Sequence, residues 1–235
     1  MTKFFAHRGE SFYAPENTVE AVKLAWDHNA DGIEIDVRLT SDNRIVVIHD
    51  RNTRRTAGIY GLVNSRTLQA LKDVDSSIPS LDEILAIIPK GKTVMIEIKC
   101  GTEIIQPLKK LLGSTHLSHS QILLAGFGLK KMTIIKKAFP QNTVFRIKRI
   151  DSENLILKSL RIDMMVGTCL KNGLNGLSLS YSRWLTKKNA DKIKGAGLKF
   201  FVWTVDNPGR ALRLKKLGVD GIISNRSGWL KERIK

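Results

Sequence analysis

The chain has 235 residues, 42% of them hydrophobic and 26% charged, with 18 Gly and 6 Pro. That composition excludes disorder and collagen-like repetition, leaves room for a sizeable core, and contains no run near the roughly 18 apolar residues of a membrane span. The net charge of +17 lies late in the chain, because residues 1–100 carry 13 basic and 14 acidic side chains whereas residues 101–235 carry 26 and 8.

Residues 4–6 read as a first strand that runs into His7-Arg8-Gly9; its apolar run is too short for a signal peptide, so a cytoplasmic protein is expected. Behind Pro15, Val19, Val22 and Trp26 have helical spacing. A strand at 33–37 is followed by Thr40-Ser41-Asp42-Asn43, a tight turn, and by a returning strand at 45–48 that runs into His49-Asp50. Residues 51–80 are polar and turn-rich and read as an insertion. Ser80-Leu81-Asp82-Glu83 then forms a capping box for a helix with Ile84, Leu85 and Ile88. Further strands are predicted at 94–98, 122–124, 144–147, 164–166, 200–203 and 221–223, with Asn207-Pro208 opening the last intervening helix and Gly218 closing it. Nine strands separated by helices, with no linker and no repeat, predict one α/β domain over residues 1–235, a closed (β/α)8-type barrel carrying the insertion. Cys100 and Cys169 have no metal or disulfide-framework spacing and read as plain thiols.

The chemistry gathers where strands end, which in a barrel is the catalytic face. Glu34 and Asp36 are two apart and share one face of a strand, while Ile33, Ile35 and Val37 share the other. If the aliphatic face meets helices, both carboxylates point into the barrel, where they persist only with a counter-charge, a shared proton or a metal. Glu97 and Lys99 repeat the arrangement on another strand. Three inward carboxylates suit a hard divalent cation, Mg²⁺ or Ca²⁺; an ion-pair cluster with Arg8 and Lys99 that only stabilises the barrel is the alternative. The turn at 40–43 folds His49 back beside Asp36, so two histidines flank the carboxylates. Imidazoles exchange protons near neutral pH, and Arg8 and Lys99 offer positive charge to an anionic ester. The set describes metal-assisted hydrolysis of an anionic ester.

His7-Arg8-Gly9, Pro15-Glu16-Asn17-Thr18, Gly32-Ile33-Glu34-Ile35-Asp36-Val37, His49-Asp50, Glu97-Ile98-Lys99 and Trp203-Thr204-Val205-Asp206 together resemble the ordered motifs of the glycerophosphodiester phosphodiesterase family. The resemblance implies a TIM-type barrel with a small insertion after the second histidine motif, and divalent-metal-dependent hydrolysis of glycerophosphodiesters to glycerol 3-phosphate and an alcohol. It implies His7 and His49 as acid and base, and Glu34, Asp36 and Glu97 as metal ligands. Arg8 and Lys99 would hold phosphate, Trp203 would pack on glycerol, and Asn17 would touch the site. This chain departs from the family at Ser224-Asn225, where Thr-Asp is usual. Two rival readings are a lysophospholipase D or related lipid phosphodiesterase, whose basic half meets anionic membranes weakly, and a non-catalytic nucleic-acid or anion binder. The second leaves the inward carboxylates unexplained, and no nucleic-acid motif is present.

Overall fold

A computed structural model describes residues 1–150 and 155–234, with the side chains of 155–160 left aside. In chain order the elements are β1 (Lys3–His7), α1 (Val19–Asp27), β2 (Gly32–Leu39), β3 (Ile45–Val47), α2 (Arg54–Ala57), α3 (Leu68–Val74), α4 (Leu81–Ala86), β4 (Thr93–Ile98), α5 (Ile105–Ser114) and β5 (Ile122–Gly126). There follow α6 (Leu129–Ala138), β6 (Thr143–Lys148), α7 (Leu155–Lys171), β7 (Gly176–Ser180), α8 (Lys187–Gly195), β8 (Lys199–Trp203), α9 (Pro208–Leu217), β9 (Gly221–Ser224) and α10 (Ser227–Arg233). Eight parallel strands run in the order β1-β9-β8-β7-β6-β5-β4-β2, and β1 pairs with β2 to close the barrel. The ninth strand, β3, is antiparallel to β2 and outside the ring.

One predicted strand is corrected. Residues 164–166 lie within α7, and the strand at that point of the barrel is β7, Gly-Leu-Ser-Leu-Ser, which the apolar-run reading passed over. A short apolar run fits either a buried strand or one face of a helix, and β7 has no β-branched residue to mark it.

Strand alternation builds two cores. Ile33, Ile35 and Val37 join the layer between strands and helices, as do Ile96, Ile98, Leu124, Leu177 and Leu179. The opposite faces supply a separate core inside the barrel: Phe5, Met95, Leu123, Ala125, Phe145, Ile147, Phe201 and Ile223. Phe201 packs edge-on to Phe5 and Phe145, with ring centroids 5.1 and 4.9 Å apart. Each of the three rings is admitted by a glycine at the partner position of the next strand: Phe5 opposite Gly32, Phe145 opposite Gly176, Phe201 opposite Gly221. A Cβ at those glycines would stand 2.2–2.5 Å from the ring. Large and small residues thus interlock into an aromatic floor, which leaves the other end of the barrel as its mouth.

The caps read from sequence are formed. The Ser80 backbone N–H donates to Glu83 Oε2 at 2.7 Å, and the Asn207 side chain accepts from the Arg210 N–H ahead of Pro208. The insertion holds α2, a 3-10 turn and α3, and rests on the barrel through a small core of Val46, Ile48, Val63, Leu71 and Ile78. Because Val46 of β3 and Ile48 just after it belong to that core and lead into His49, the insertion's packing also sets where that histidine stands. Among the described residues no helix is long and apolar enough to cross a membrane.

Candidate active site

Parity and register bring the carboxylates together. Asp36 on β2 is the direct partner of Glu97 on β4, and Glu34 sits one pleat below on the same inward face. All three are buried, at 3%, 1% and 8% exposure for Glu34, Asp36 and Glu97. One oxygen from each lies within 4.8 Å of the others, which suits a shared cation whose oxygen ligands stand about 2–2.6 Å from it. The acidic cluster can therefore hold a metal ion. Lys99 Nζ approaches Asp36 Oδ1 at 3.1 Å and Glu97 Oε1 at 2.5 Å, and Arg8 Nε lies 3.0 Å from Asp36 Oδ2. Two cations thus stand against three buried carboxylates, whose converging oxygens are the donor set a hard cation needs.

The electrostatics separate the three acids. Burial first, then Asp36 and Glu97, pushes Glu34 well above the ordinary carboxylate range. Burial and Asp36 raise Glu97 as well. Burial also acts to raise Asp36, but Lys99 and Arg8 outweigh it and hold Asp36 low. Asp36 is thus the fixed anion of the cluster, and Glu34 is the acid that keeps a proton when no cation compensates it.

His7 ends β1, and its Nδ1 is 2.7 Å from Asn225 Oδ1. Its Nε2 is 3.9 Å from Glu34 Oε2. Burial, then the neighbouring Arg8 charge, lowers its pKa. His49 follows β3, where the hairpin sets the Ile48 N–H on the Asp36 carbonyl at 2.9 Å, and its Nδ1 is 2.6 Å from Asp50 Oδ1. Both rings are therefore held by Nδ1 while both line one mouth cavity of about 130 Å³, together with Arg8, Glu34, Glu97, Lys99, Phe127 and Trp203. Trp203 meets Phe127 edge-on at 6.2 Å, and its buried Nε1 has no hydrogen-bond partner.

The residues behind this layer were less visible in the sequence. Asn17, expected beside the substrate, is buried and holds Asp36: its Nδ2 donates to Asp36 Oδ2 at 3.0 Å and its Oδ1 accepts from the Asp36 N–H at 3.1 Å. Both ends of the amide are spent on the carboxylate, so its place is holding Asp36. Arg8 and Asn17 have φ of +56° and +60°, and Gly9 follows at +78°. That left-handed turn lets the chain pass α1, where a Cβ on Gly9 would stand 2.6 Å from Ala21. Glu16 accepts from Arg8 Nη1 at 3.0 Å and from Arg55 Nη2 at 2.5 Å, and Arg55 Nε also donates to Asp50 Oδ2 at 2.6 Å. Arg55 lies in the insertion, and its hydrogen bond is the main cause holding Asp50 down at about 2. Asn225 is oriented in turn by Asp206, whose carboxylate accepts from the Asn225 N–H and Nδ2 at 2.8 and 2.7 Å. The departure Ser224-Asn225 therefore places a neutral amide oxygen on His7 where the usual aspartate would put a charge. Phe127, missed in the sequence, follows β5 between two glycines, and that aromatic at a strand end was the available signal.

A parallel eight-stranded barrel with carboxylates, histidines and cations around one mouth defines a phosphoester-hydrolysing α/β barrel enzyme. Residues 7–228 match the glycerophosphoryl diester phosphodiesterase family. The chain is 30% identical over 239 residues to the glycerophosphodiester phosphodiesterase of Caldanaerobacter subterraneus subsp. tengcongensis, covering 95% of this chain and 94% of that one. Its fold is similar to the crystal structure of the glycerophosphodiester phosphodiesterase of Thermotoga maritima (TM-score 0.83, 24% identity, 99% and 98% of the two chains). It is equally similar to an Oleispira antarctica phosphodiesterase in complex with the product sn-glycerol-3-phosphate (TM-score 0.82, 24% identity, 100% and 97%). The chain belongs to the glycerophosphoryl diester phosphodiesterase family.

Proposed function

We propose that this enzyme hydrolyses glycerophosphodiesters to glycerol 3-phosphate and an alcohol with the help of a divalent cation, Mg²⁺ or Ca²⁺, held by Glu34, Asp36 and Glu97. The observation that carries the reading is the pair of imidazoles, each fixed by Nδ1 to a side-chain oxygen, on one mouth cavity beside a three-carboxylate cluster. A bound cation supplies positive charge to the phosphoryl oxygens. Arg8 and Lys99 add donors on the same anion, while Asn17 and Glu16 hold Asp36 and Arg8 for that task. His7, lowered by burial and Arg8, is neutral near pH 7 and accepts the proton of the attacking oxygen, whether water or the substrate's own hydroxyl. His49, its ring oriented by Asp50, gives a proton to the leaving alcohol. Trp203 and Phe127 offer apolar faces to the glycerol carbons. The alcohol faces a second cavity of about 550 Å³ between His49, Glu16 and the insertion, which includes Val74, Ser77 and Ile78.

Release of glycerol 3-phosphate from glycerophosphocholine and glycerophosphoethanolamine, measured after chelation and with Mg²⁺ or Ca²⁺ restored, tests the reading. Metal-restored release that is absent from Glu34→Ala protein is expected; undiminished release in chelator would refute the metal's role. A lipid substrate is the second reading, favoured by Ile59, Tyr60 and Leu62, which stand 56%, 58% and 40% exposed on the insertion. Sedimentation with acidic vesicles at low and high salt distinguishes apolar anchoring from net charge, because only the latter is screened.

A further inference from the structure

Arg55, on α2 of the insertion, reaches both sides of the mouth through two carboxylates. It donates through Nη2 to Glu16 Oε1 at 2.5 Å and through Nε to Asp50 Oδ2 at 2.6 Å. Each of those acids also holds a residue of the mouth: both Glu16 oxygens accept from Arg8 Nη1 at 3.0 Å, and Asp50 Oδ1 lies 2.6 Å from His49 Nδ1. One chain of contacts thus runs from Arg8 through Glu16, Arg55 and Asp50 to His49. The insertion itself is held by other means. The Thr53 N–H donates to the Gly61 carbonyl and its hydroxyl to that of Ile59, closing the loop around α2, and the insertion's small core rests on the barrel. The His49 backbone is fixed separately, since Arg38 donates through Nε and Nη2 to the His49 carbonyl at 2.9 and 2.8 Å. What is left for Arg55 to set is the direction of two side chains, the Arg8 fork and the His49 ring. Its own side chain is 50% exposed, where an ion pair adds little stability, but its planar fork fixes two carboxylates at a set angle.

We propose that Arg55 is a positioning residue that sets the Arg8 fork and the His49 ring against one phosphodiester, through Glu16 on the phosphate side and Asp50 on the leaving-group side. The inference rests on the phosphodiesterase reading, with His49 as acid and Arg8 on the phosphate. In that reaction an oxygen bonds to phosphorus, the P–O bond to the alcohol breaks, and the alcohol oxygen takes the proton that His49 carries on Nε2, because Nδ1 faces Asp50. A ring released by Asp50 misplaces that proton, which matters only when the departing oxygen needs one. A misdirected Arg8 weakens the hold on phosphate whatever alcohol is attached, in bound substrate and transition state alike. The two arms therefore have separate kinetic signatures, kcat with a leaving-group dependence for Asp50 and KM for Glu16.

The test compares the alkyl diesters glycerophosphocholine and glycerophosphoethanolamine with the p-nitrophenyl ester of glycerol 3-phosphate, whose p-nitrophenolate departs without a proton, using the full chain with Mg²⁺ or Ca²⁺. Arg55→Ala should lower kcat for the alkyl diesters on the order of tenfold or more, leave kcat for the aryl ester within about twofold, and raise KM for all three roughly two- to fivefold. The retained aryl-ester kcat also reports an intact fold. Asp50→Asn should reproduce the kcat loss without the KM rise, and Glu16→Gln the KM rise without the kcat loss. Arg55→Ala added to the Asp50→Asn/Glu16→Gln double variant should change nothing further. Lys72→Ala removes a different cation of the insertion, paired with Glu83 on α4 at 2.7 Å, and should leave both constants intact. A kcat loss shared equally by alkyl and aryl substrates, the same loss in Lys72→Ala protein, a further loss in the triple variant, or wild-type constants in Arg55→Ala protein would overturn the role of Arg55 alone. Failure of the wild-type chain to hydrolyse either alkyl diester with either metal would overturn the phosphodiesterase reading and that role with it.

Discussion

The two halves of the barrel rim contribute differently. The first, from β1 to β4, comes from a nearly neutral stretch of chain yet contains every carboxylate of the cluster, both histidines, and Arg8 and Lys99. The second, from β5 to β9, belongs to the stretch with 26 basic and 8 acidic residues, but it brings to the mouth mainly aromatic faces and the Asp206–Asn225 support of His7. Net charge and reactive charge are thus distributed independently. What concentrates reactivity is burial and opposition of charges within a few ångströms, and an excess spread over solvated helices does not supply it.

The largest expected effect lies in the first half. Glu34→Gln should abolish metal-restored turnover and at the same time stabilise the metal-free protein. Glu34 has a raised native pKa, so the folded chain holds a proton that the unfolded chain releases above the ordinary carboxylate range. Stability of the metal-free protein therefore falls as pH rises from that range through the native value, and the neutral variant escapes this loss. Thermal melts in chelator at pH 8 and near pH 4 check it: the variant melts higher at pH 8, by roughly 2–4 °C for each kcal/mol gained, and the difference closes at pH 4. His7→Ala and His49→Ala should each lower kcat by roughly 10²–10⁴-fold. Near-wild-type rates in both would remove proton transfer from the mechanism.

Across the rim the effects are smaller and of another kind. Asn225→Ala frees the His7 ring and should cost about 10–100-fold in kcat, as loss of a residue that orients an active-site imidazole does. Asn225→Asp should restore the orientation and recover most of the rate; an unrecovered rate would mean the amide's neutrality is itself required. Trp203→Ala should raise KM on the order of tenfold with less change in kcat, since apolar packing on glycerol acts on bound substrate and transition state alike. If Trp203→Ala lowered kcat as much as the histidine variants, the division between the two halves of the rim would fail.

Much of this arrangement is legible in the sequence because it follows from short-range rules. A period of two sets Glu34 and Asp36 on one face, and a four-residue turn returns His49 to Asp36 through the register Val37–Val47. Asn207-Pro208 and Gly218 bound a helix by cap chemistry alone. What was missed depends on distant partners. Asn225 meets His7 across 218 positions of chain, and Arg55 joins Glu16 across 39. Asn17 looks like a helix-start residue until Asp36 is placed beside it. The β7 strand was overlooked for a different reason: its Leu and Ser alternate but it has no β-branched or aromatic residue, and its identity comes from pairing with β6 and β8.

The Phe–Gly floor has a kinetic consequence. With Phe5, Phe145 and Phe201 closing the lower end, the catalytic chamber has one door, so whatever enters must leave by the same way. With the alcohol placed nearer the insertion as proposed, it should depart first, and the fragment that keeps the phosphate last, from the deeper position. Glycerol 3-phosphate should then inhibit competitively against the diester, so that turnover slows as it accumulates.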